Sequence, residues 1–361
     1  MERYSLKKIK VKDLKTNQVI AKAVENDKGN ILLYDGAIIK SEQINKLIEN
    51  NIEYVYIREE IKKSDMFCIA EIEKDAASQI KNAVELRIHT KDDTEMKEVI
   101  QTAVDIINDI VSHPEVADCM LNVKREKNDL YTHMLGVSAL STVMGIKAGF
   151  SDTELKDVAT GALLHDIGLA KVEVPYDNVE VDILPAAEKL NYRRHVITGY
   201  EIVKDFAWIS ETSKMIVLSH HEKIDGSGYP FHKVSERIPK EVKLVSICDH
   251  FDEMVNGIGY KKRKIHEVVE YFRTNEAYFY DYEMMTMVMS SIAWFPTGSM
   301  VITNENEIAR VVGQNRGLPD RPILRIVRDA DGKICKKEII KDLTELLTIF
   351  IIESIENQED M

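Results

Sequence analysis

Cysteine is scarce in this chain of 361 residues, and the four present (Cys68, Cys119, Cys248, Cys335) form no Cys-x-x-Cys pair. That spacing excludes a disulfide framework and a zinc knuckle, and it reads as reduced thiols in a cytoplasmic protein. No run approaches the roughly 18 apolar residues of a membrane span, and Met1-Glu2-Arg3-Tyr4 does not begin a signal peptide. Basic residues are outnumbered, 48 Lys and Arg against 61 Asp and Glu, for a formal charge of −13. Long nucleic acid normally needs a basic face and is excluded as a partner. A small phosphate ligand is not, because local cations and metals override a global sign. Internal repeats, low-complexity tracts and glycine-rich phosphate loops are all missing. What is there, 44% hydrophobic and 30% charged residues, describes a globular chain of two or three domains with a sizeable core.

Residues 1–65 read as a small α+β module. Short β-type runs (Gln18 to Val24, Ile31 to Tyr34, Tyr54 to Ile57) flank a turn at Asp27-Lys28-Gly29-Asn30, and Ser41 is placed to cap a helix reaching about Asn50. The module suits packing or homodimerisation, with sensory input as the alternative. Residues 66–114 turn helical. Ala76, Ile80, Ala83, Val84 and Leu86 recur at helical intervals, as do Val99, Ile100, Ala103, Ile106, Ile107 and Ile110, with a break at Asp92-Asp93-Thr94.

The chemistry concentrates in residues 115–300. Asp129 and His133 lie four apart on one helical face, and an adjacent His165-Asp166 pair ends an apolar helix. His195 follows, with Gly199 one turn later leaving room for close approach. His220-His221 open the loop Glu222-Lys223-Ile224-Asp225-Gly226-Ser227-Gly228-Tyr229-Pro230, and Asp249 follows an apolar run. Burying an unpaired carboxylate is costly, and a bound cation removes the cost. A single histidine among apolar residues is usually a satisfied core side chain. Seven such residues, with Asp129 as an eighth, argue instead for a metal centre. Imidazoles with bridging-capable carboxylates and no thiolates suit Fe, Mn or Zn.

The order His, His-Asp, His, His-His, Asp, closed by Gly228-Tyr229-Pro230, resembles the HD-GYP family, a branch of the HD metal-dependent phosphohydrolases. The resemblance covers about residues 115–300. It implies a mainly α fold with an all-helical catalytic core that hydrolyses cyclic di-GMP to pGpG or GMP. It also implies two divalent metal ions, three in some members, often iron or manganese. Carried onto this chain, it makes His133, His165, Asp166, His195, His220, His221 and Asp249 metal ligands, with Asp166 as the bridge. Asp129 stands where trinuclear members place a Glu. The family's His-Asp-x-x-Lys is broken by Leu169, with Lys171 two residues on as a substitute. Its Arg-Pro-Tyr is Ile258-Gly259-Tyr260 here.

Two cations about 3.5–4 Å apart that share a hydroxide and clamp a phosphodiester supply the expected chemistry. Lys261 and Lys262, beside Arg263, are the candidate phosphate contacts, and Gly228 and Tyr229 the candidate contacts to substrate in the loop. Three readings follow: a cyclic di-GMP phosphodiesterase, a metal-containing sensor with little turnover, and a phosphodiesterase for cyclic GMP-AMP. Residues 301–361 are expected to pack on the core as a β/α extension. They carry strands at Ser299 to Thr303, Ala309 to Val312 and Ile323 to Val327, and a turn at Asp331-Gly332. Ile339 to Ile355 fits a closing helix by spacing and a strand by its β-branched residues.

Overall fold

The computed structural model describes residues 4–26, 30–60, 82, 94–111, 129–315 and 317–355. The chain forms two compact units, one built from residues 1–66 together with 295–361, the other from 67–294. Apart from residue 82, the helix expected over residues 76–86 lies outside the described residues, as do the break at Asp92-Asp93 and most of the expected turn at 27–30.

The strand-rich unit opens with β1 (Tyr4–Lys10), β2 (Val19–Ile20), β3 (Val24–Glu25), β4 (Ile31–Leu33), α1 (Ser41–Glu49) and β5 (Tyr54–Glu60). Antiparallel pairing gives one sheet in the order β1-β5-β2 and a separate β3-β4 ribbon. Ile20, Ile39, Leu47, Val55 and Ile57 close a small core beneath α1. The cap of α1 falls one residue before Ser41, where the Gln43 side chain accepts the Lys40 N–H at 2.7 Å.

The same unit takes in β6 (Met300–Thr303), β7 (Ile308–Gly313), β8 (Ile323–Arg328), β9 (Ile334–Asp342) and β10 (Ile351–Ile355), an antiparallel sheet in the order β10-β6-β7-β8-β9. Alternation decides its faces, with Ala309 and Val311 fully buried and Ile308, Arg310 and Val312 facing outward. Gly332, at φ +76°, turns β8 into β9 where Asp331-Gly332 is expected to turn. No helix forms at Ile339 to Ile355: both of its ends are strand, as their β-branched residues permit. The C-terminal extension, expected to pack on the helical core, falls in one compact unit with the N-terminal module. The reason is a polar latch. Buried Asp342 accepts the Tyr56 hydroxyl of β5 through Oδ2, and through Oδ1 it accepts Asn315 Nδ2, Thr344 N and Thr344 Oγ1 at 2.8–2.9 Å.

The helical unit contains α2 (Thr94–Val111), α3 (Leu130–Lys147), α4 (Asp152–Leu164), α5 (Ala186–Arg193), α6 (His195–Val203), α7 (Glu211–Ser219), α8 (Lys240–Asn256), α9 (Ile265–Tyr271) and α10 (Tyr282–Ser291). Residues 130–145 of α3 are all buried, so α3 is the central helix and α4 and α8 pack against it. Capping residues set the helix starts: Ser151 with Glu154 for α4, Ser210 for α7 and Asp281 for α10. The mainly α expectation holds for this unit, and strands occupy both ends of the chain. Among the described residues no helix is long and apolar enough to cross a membrane.

Candidate metal centre

Five elements deliver the site. His133 comes from the first turn of α3, His165 and Asp166 from the end of α4, His195 from the start of α6, His220 and His221 from the end of α7, and Asp249 from the middle of α8. Glycine lets them approach. A Cβ at Gly168 would sit 2.0 Å from the His195 carbonyl oxygen, and one at Gly199 would meet Gly168 N at 3.4 Å. Close backbone contact between the His165-Asp166 segment and α6 is possible because Gly168 carries no side chain.

In four histidines Nδ1 is already committed. His133 donates to Asp252 Oδ2 at 2.7 Å, His165 to the Ala162 carbonyl at 2.6 Å, His195 to the Tyr192 carbonyl at 2.8 Å and His220 to the Val217 carbonyl at 3.1 Å. Such bonds fix the tautomer and leave Nε2 as the lone pair turned to the centre. The Nε2 atoms meet in pairs, His133 with His165 at 3.2 Å and His195 with His220 at 3.3 Å. Asp166 lies between the pairs. Its Oδ2 is 3.5 Å from both His133 and His165, and its Oδ1 is 3.2 Å from His195 and 3.5 Å from His220. Asp249 Oδ1 adds contacts of 3.2 and 3.0 Å to His133 and His165.

The ligand atoms form two sets with metal-binding spacing: His133, His165, Asp166 and Asp249, and Asp166, His195, His220 and His221. Both oxygens of Asp166 and both of Asp249 are buried without a hydrogen bond. Facing imidazole lone pairs and orphaned carboxylate oxygens are what a divalent cation would satisfy, so the residues fit the ions.

Burial opposes charge throughout, but neighbours decide the outcome. The His165 and His195 rings hold the Asp166 carboxyl well below the usual carboxylate range, and His165 does the same for Asp249. The neighbouring carboxylates of Asp166, Asp249 and Asp252 outweigh burial at His133 and push it well above an ordinary imidazole. Asp166 and Asp249 raise His165 to about 10. On the other side burial wins, and His220 and His221 are lowered.

Over these sets the loop after His221 is tightly built. Buried Glu222 accepts the Phe231 and Lys233 N–H groups at 2.7 and 2.9 Å, and Asp225 Oδ1 accepts Ser227 N and Oγ. A Cβ at Gly228 would lie 2.2 Å from Lys223 N, so this glycine closes the loop as well as bordering the cavity. Tyr229 stacks on His221 with ring centroids 4.7 Å apart, and the Arg193 guanidinium lies 5.0 Å from the Tyr229 ring centroid.

Half of the chain, residues 104–284, matches the HD domain. The chain belongs to the HD domain family. Residues 300–361 match the KOW domain associated with the HD domain, which covers the C-terminal sheet. Over 296 residues the chain is 25% identical to a cyclic di-GMP phosphodiesterase of Pseudomonas aeruginosa, covering 80% of this chain and 68% of that one. A second cyclic di-GMP phosphodiesterase, from Thermotoga maritima, is 33% identical over 150 residues, 40% of each chain. Among solved structures, an HDG"Y"P protein of Bdellovibrio bacteriovorus superposes with a TM-score of 0.51 at 21% identity, over 79% of this chain and 98% of that one. Within this HD domain the His-Asp pair is His165-Asp166, and the Gly-Tyr-Pro of the HD-GYP branch is Gly228-Tyr229-Pro230.

Not every expected residue joins the HD centre. Asp129 caps α3: its Oδ1 accepts Tyr131 N, Thr132 N and Thr132 Oγ1 at 2.9–3.0 Å, and the side chain stays exposed. It belongs to neither ligand set. Lys171 is exposed at the end of a 3₁₀ turn, while Leu169 and Ile258, at the family's basic positions, are buried in the apolar core. Lys261 and Lys262 are also exposed, their backbone N–H groups bonded to Glu180 and Asn178, and neither borders the cavity beside the centre. That cavity is lined by Tyr192, Arg193, His221, Lys223, Gly228, Tyr229, His250, Glu253, Tyr260 and Tyr280 among others. Its cations, Arg193 and Lys223, escaped the sequence reading. So did Asp252 and Glu253, although Asp249, Asp252 and Glu253 at i, i+3 and i+4 in an apolar helix were the available signal.

Proposed function

We propose that this HD-domain chain is a metal-dependent phosphodiesterase that hydrolyses a cyclic dinucleotide, cyclic di-GMP first, to pGpG or GMP. The observation that carries the reading is Asp166, whose two orphaned oxygens each face a different pair of histidines. The names of the Pseudomonas and Thermotoga relatives support the substrate class. When bound, divalent ions supply Lewis acidity and a nucleophile made from water at neutral pH. The nitrogen and oxygen donor set favours iron or manganese.

The chain's own residues do the rest. Asp252 and the backbone carbonyls hold the histidine tautomers, Glu222 fixes the loop, and Tyr229 braces the His221 ring. Arg193, 3.1 Å from Asp182, and Lys223, 3.4 Å from Glu276, are the cavity cations able to offset charge on the phosphates.

The full chain loaded with Mn(II) or Fe(II) without air is to be incubated with cyclic di-GMP and, separately, with 3′,3′-cyclic GMP-AMP, and products followed by chromatography. Cleavage of cyclic di-GMP at the higher kcat/KM is expected. No cleavage of either overturns the enzyme reading. The apolar side chains at Leu169 and Ile258 favour a second reading, a low-turnover sensor, which the same samples identify by binding without cleavage.

A further inference from the structure

His250 follows Asp249 on α8, yet its hydrogen bonds run opposite to those of the histidines in the centre. It is 4% exposed and borders the cavity. Its Nδ1 lies 2.7 Å from the Tyr280 hydroxyl, and its Nε2 is buried without a hydrogen bond. Among the described residues, His250 Nδ1 is the one hydrogen-bond partner of the Tyr280 hydroxyl. The buried O–H is satisfied by donating to that nitrogen, so Nδ1 accepts. The ring then carries its own hydrogen on Nε2. At His133, His165, His195 and His220 the order is reversed, with Nδ1 donating and Nε2 offering a lone pair. His250 thus presents a donor at the cavity wall where the others present ligands. A buried donor left without an acceptor is costly, and a bound ligand that accepts from it removes the cost.

The surroundings of this donor select the kind of acceptor. The Tyr260 and Phe272 ring centroids lie 5.1 Å from that of His250, and Tyr280 lies at 5.8 Å. Tyr260 and Tyr280 border the cavity as well. Aromatic walls around one N–H donor suit a planar nucleobase. Phosphate charge is met elsewhere, by the ions, by Arg193 and by Lys223, whose ammonium is held 3.4 Å from Glu276 and 4.4 Å from the Phe279 ring centroid. Guanine carries a carbonyl oxygen, O6, where adenine carries an amino group. Against Nε2–H the first forms a hydrogen bond, and the second sets donor against donor.

We propose that His250 reads the base of the substrate: Nε2–H donates to guanine O6 in the cavity and makes the chain select guanine over adenine. The inference rests on the cyclic dinucleotide reading above and names the residue that sets its base preference. Tyr280 acts through His250, as a positioning residue that fixes the tautomer.

The test takes the full Mn(II)-loaded chain and measures kcat/KM for cyclic di-GMP together with the inhibition constant of cyclic di-AMP against it. For His250→Phe, a ring without nitrogens, kcat/KM is expected to fall roughly 10- to 100-fold while the inhibition constant and the metal content stay unchanged. His250→Gln, whose amide nitrogen replaces Nε2 as a donor, is expected to recover most of the loss. Tyr280→Phe frees the tautomer and is expected to lose part of the preference; a full preference there removes Tyr280 from the proposal. An equal loss with both nucleotides, or no loss, overturns the base-reading role and leaves the phosphodiesterase standing. An unaltered chain that cuts nothing fails the phosphodiesterase reading itself, and this inference with it. Crystals of the unaltered chain with pGpG need no variant. Guanine O6 within hydrogen-bond distance of His250 Nε2 is expected, and an Nε2 bonded to water or phosphate instead overturns the proposal.

Discussion

Two buried aspartates in the two units are treated in opposite ways. Asp342 of the strand-rich unit is 2% exposed and has four donors directed at its two oxygens. Asp166 of the helical unit is 1% exposed and has none. Both are held below the usual carboxylate range against the effect of burial, Asp342 by neutral hydrogen-bond donors and Asp166 by imidazoles. A carboxylate surrounded by hydroxyls and amides is finished, and it locks two strands together. One surrounded by ring nitrogens is complete only when a cation replaces the protons they would carry. Burial alone therefore says little about role, and the kind of neighbour says most of it.

The sharpest break of the contrast is Asp166→Ala. It should lower turnover by roughly 10³-fold or more and strip metal from both ligand sets, with β9 of the other unit unaffected in hydrogen exchange. Retained metal and turnover would equate the two aspartates. Removing metal with a chelator comes next. An ion held at a thousand times its Kd contributes about 4 kcal/mol. Trp208 and Trp294 both lie in the helical unit, so a fall in the fluorescence-detected melting point reads that unit by itself. Tyr56→Phe or Asp342→Asn should cost about 1–3 kcal/mol, seen as faster exchange in β5 and β9, with metal content unchanged.

The pH dependence of each unit follows from its own shifted groups. Without metal, His133 and His165 have raised folded pKa values. Their stabilisation is complete below the ordinary imidazole range and is lost as pH climbs, for His165 through about 10. Asp342 has a lowered value, so its contribution is present above the ordinary carboxylate range and is lost as pH falls through the depressed one. Alkali should weaken the metal-free helical unit through His133 and His165, whereas acid should weaken the strand-rich unit through Asp342 and the helical unit through Asp166 and Asp249, and melts across pH check both. The smallest effects belong to residues outside either network. Asp129→Ala should cost about 1 kcal/mol of helix capping, and Lys171→Ala should leave turnover unchanged.

Much of the centre was legible because its chemistry demands rare letters in a fixed order. His165-Asp166 and His220-His221 stand out before any folding is considered. Position on a surface is harder to read. Lys171, Lys261 and Lys262 lie near the motifs in sequence yet turn outward, while Arg193 and Lys223 reach the cavity from places that look like ordinary helix and loop. Glu253 resembled one more polar residue of a half-exposed helix, and only the burial of α8 on nearly every side reveals it. The last strand was undecidable for another reason: Leu346, Leu347 and Phe350 mimic helical spacing while lying in the loop between β9 and β10.

Gly168 acts as a spacer of zero thickness. With the His195 carbonyl 2.0 Å from where its first side-chain atom would be, the gap between α6 and the turn after Asp166 is set by backbone atoms in direct touch. Backbone is stiff where side chains yield, so the grip of the cleft on an ion is gauged by the thickness of the peptide chain itself. Even one methyl group there would prise the jaws apart.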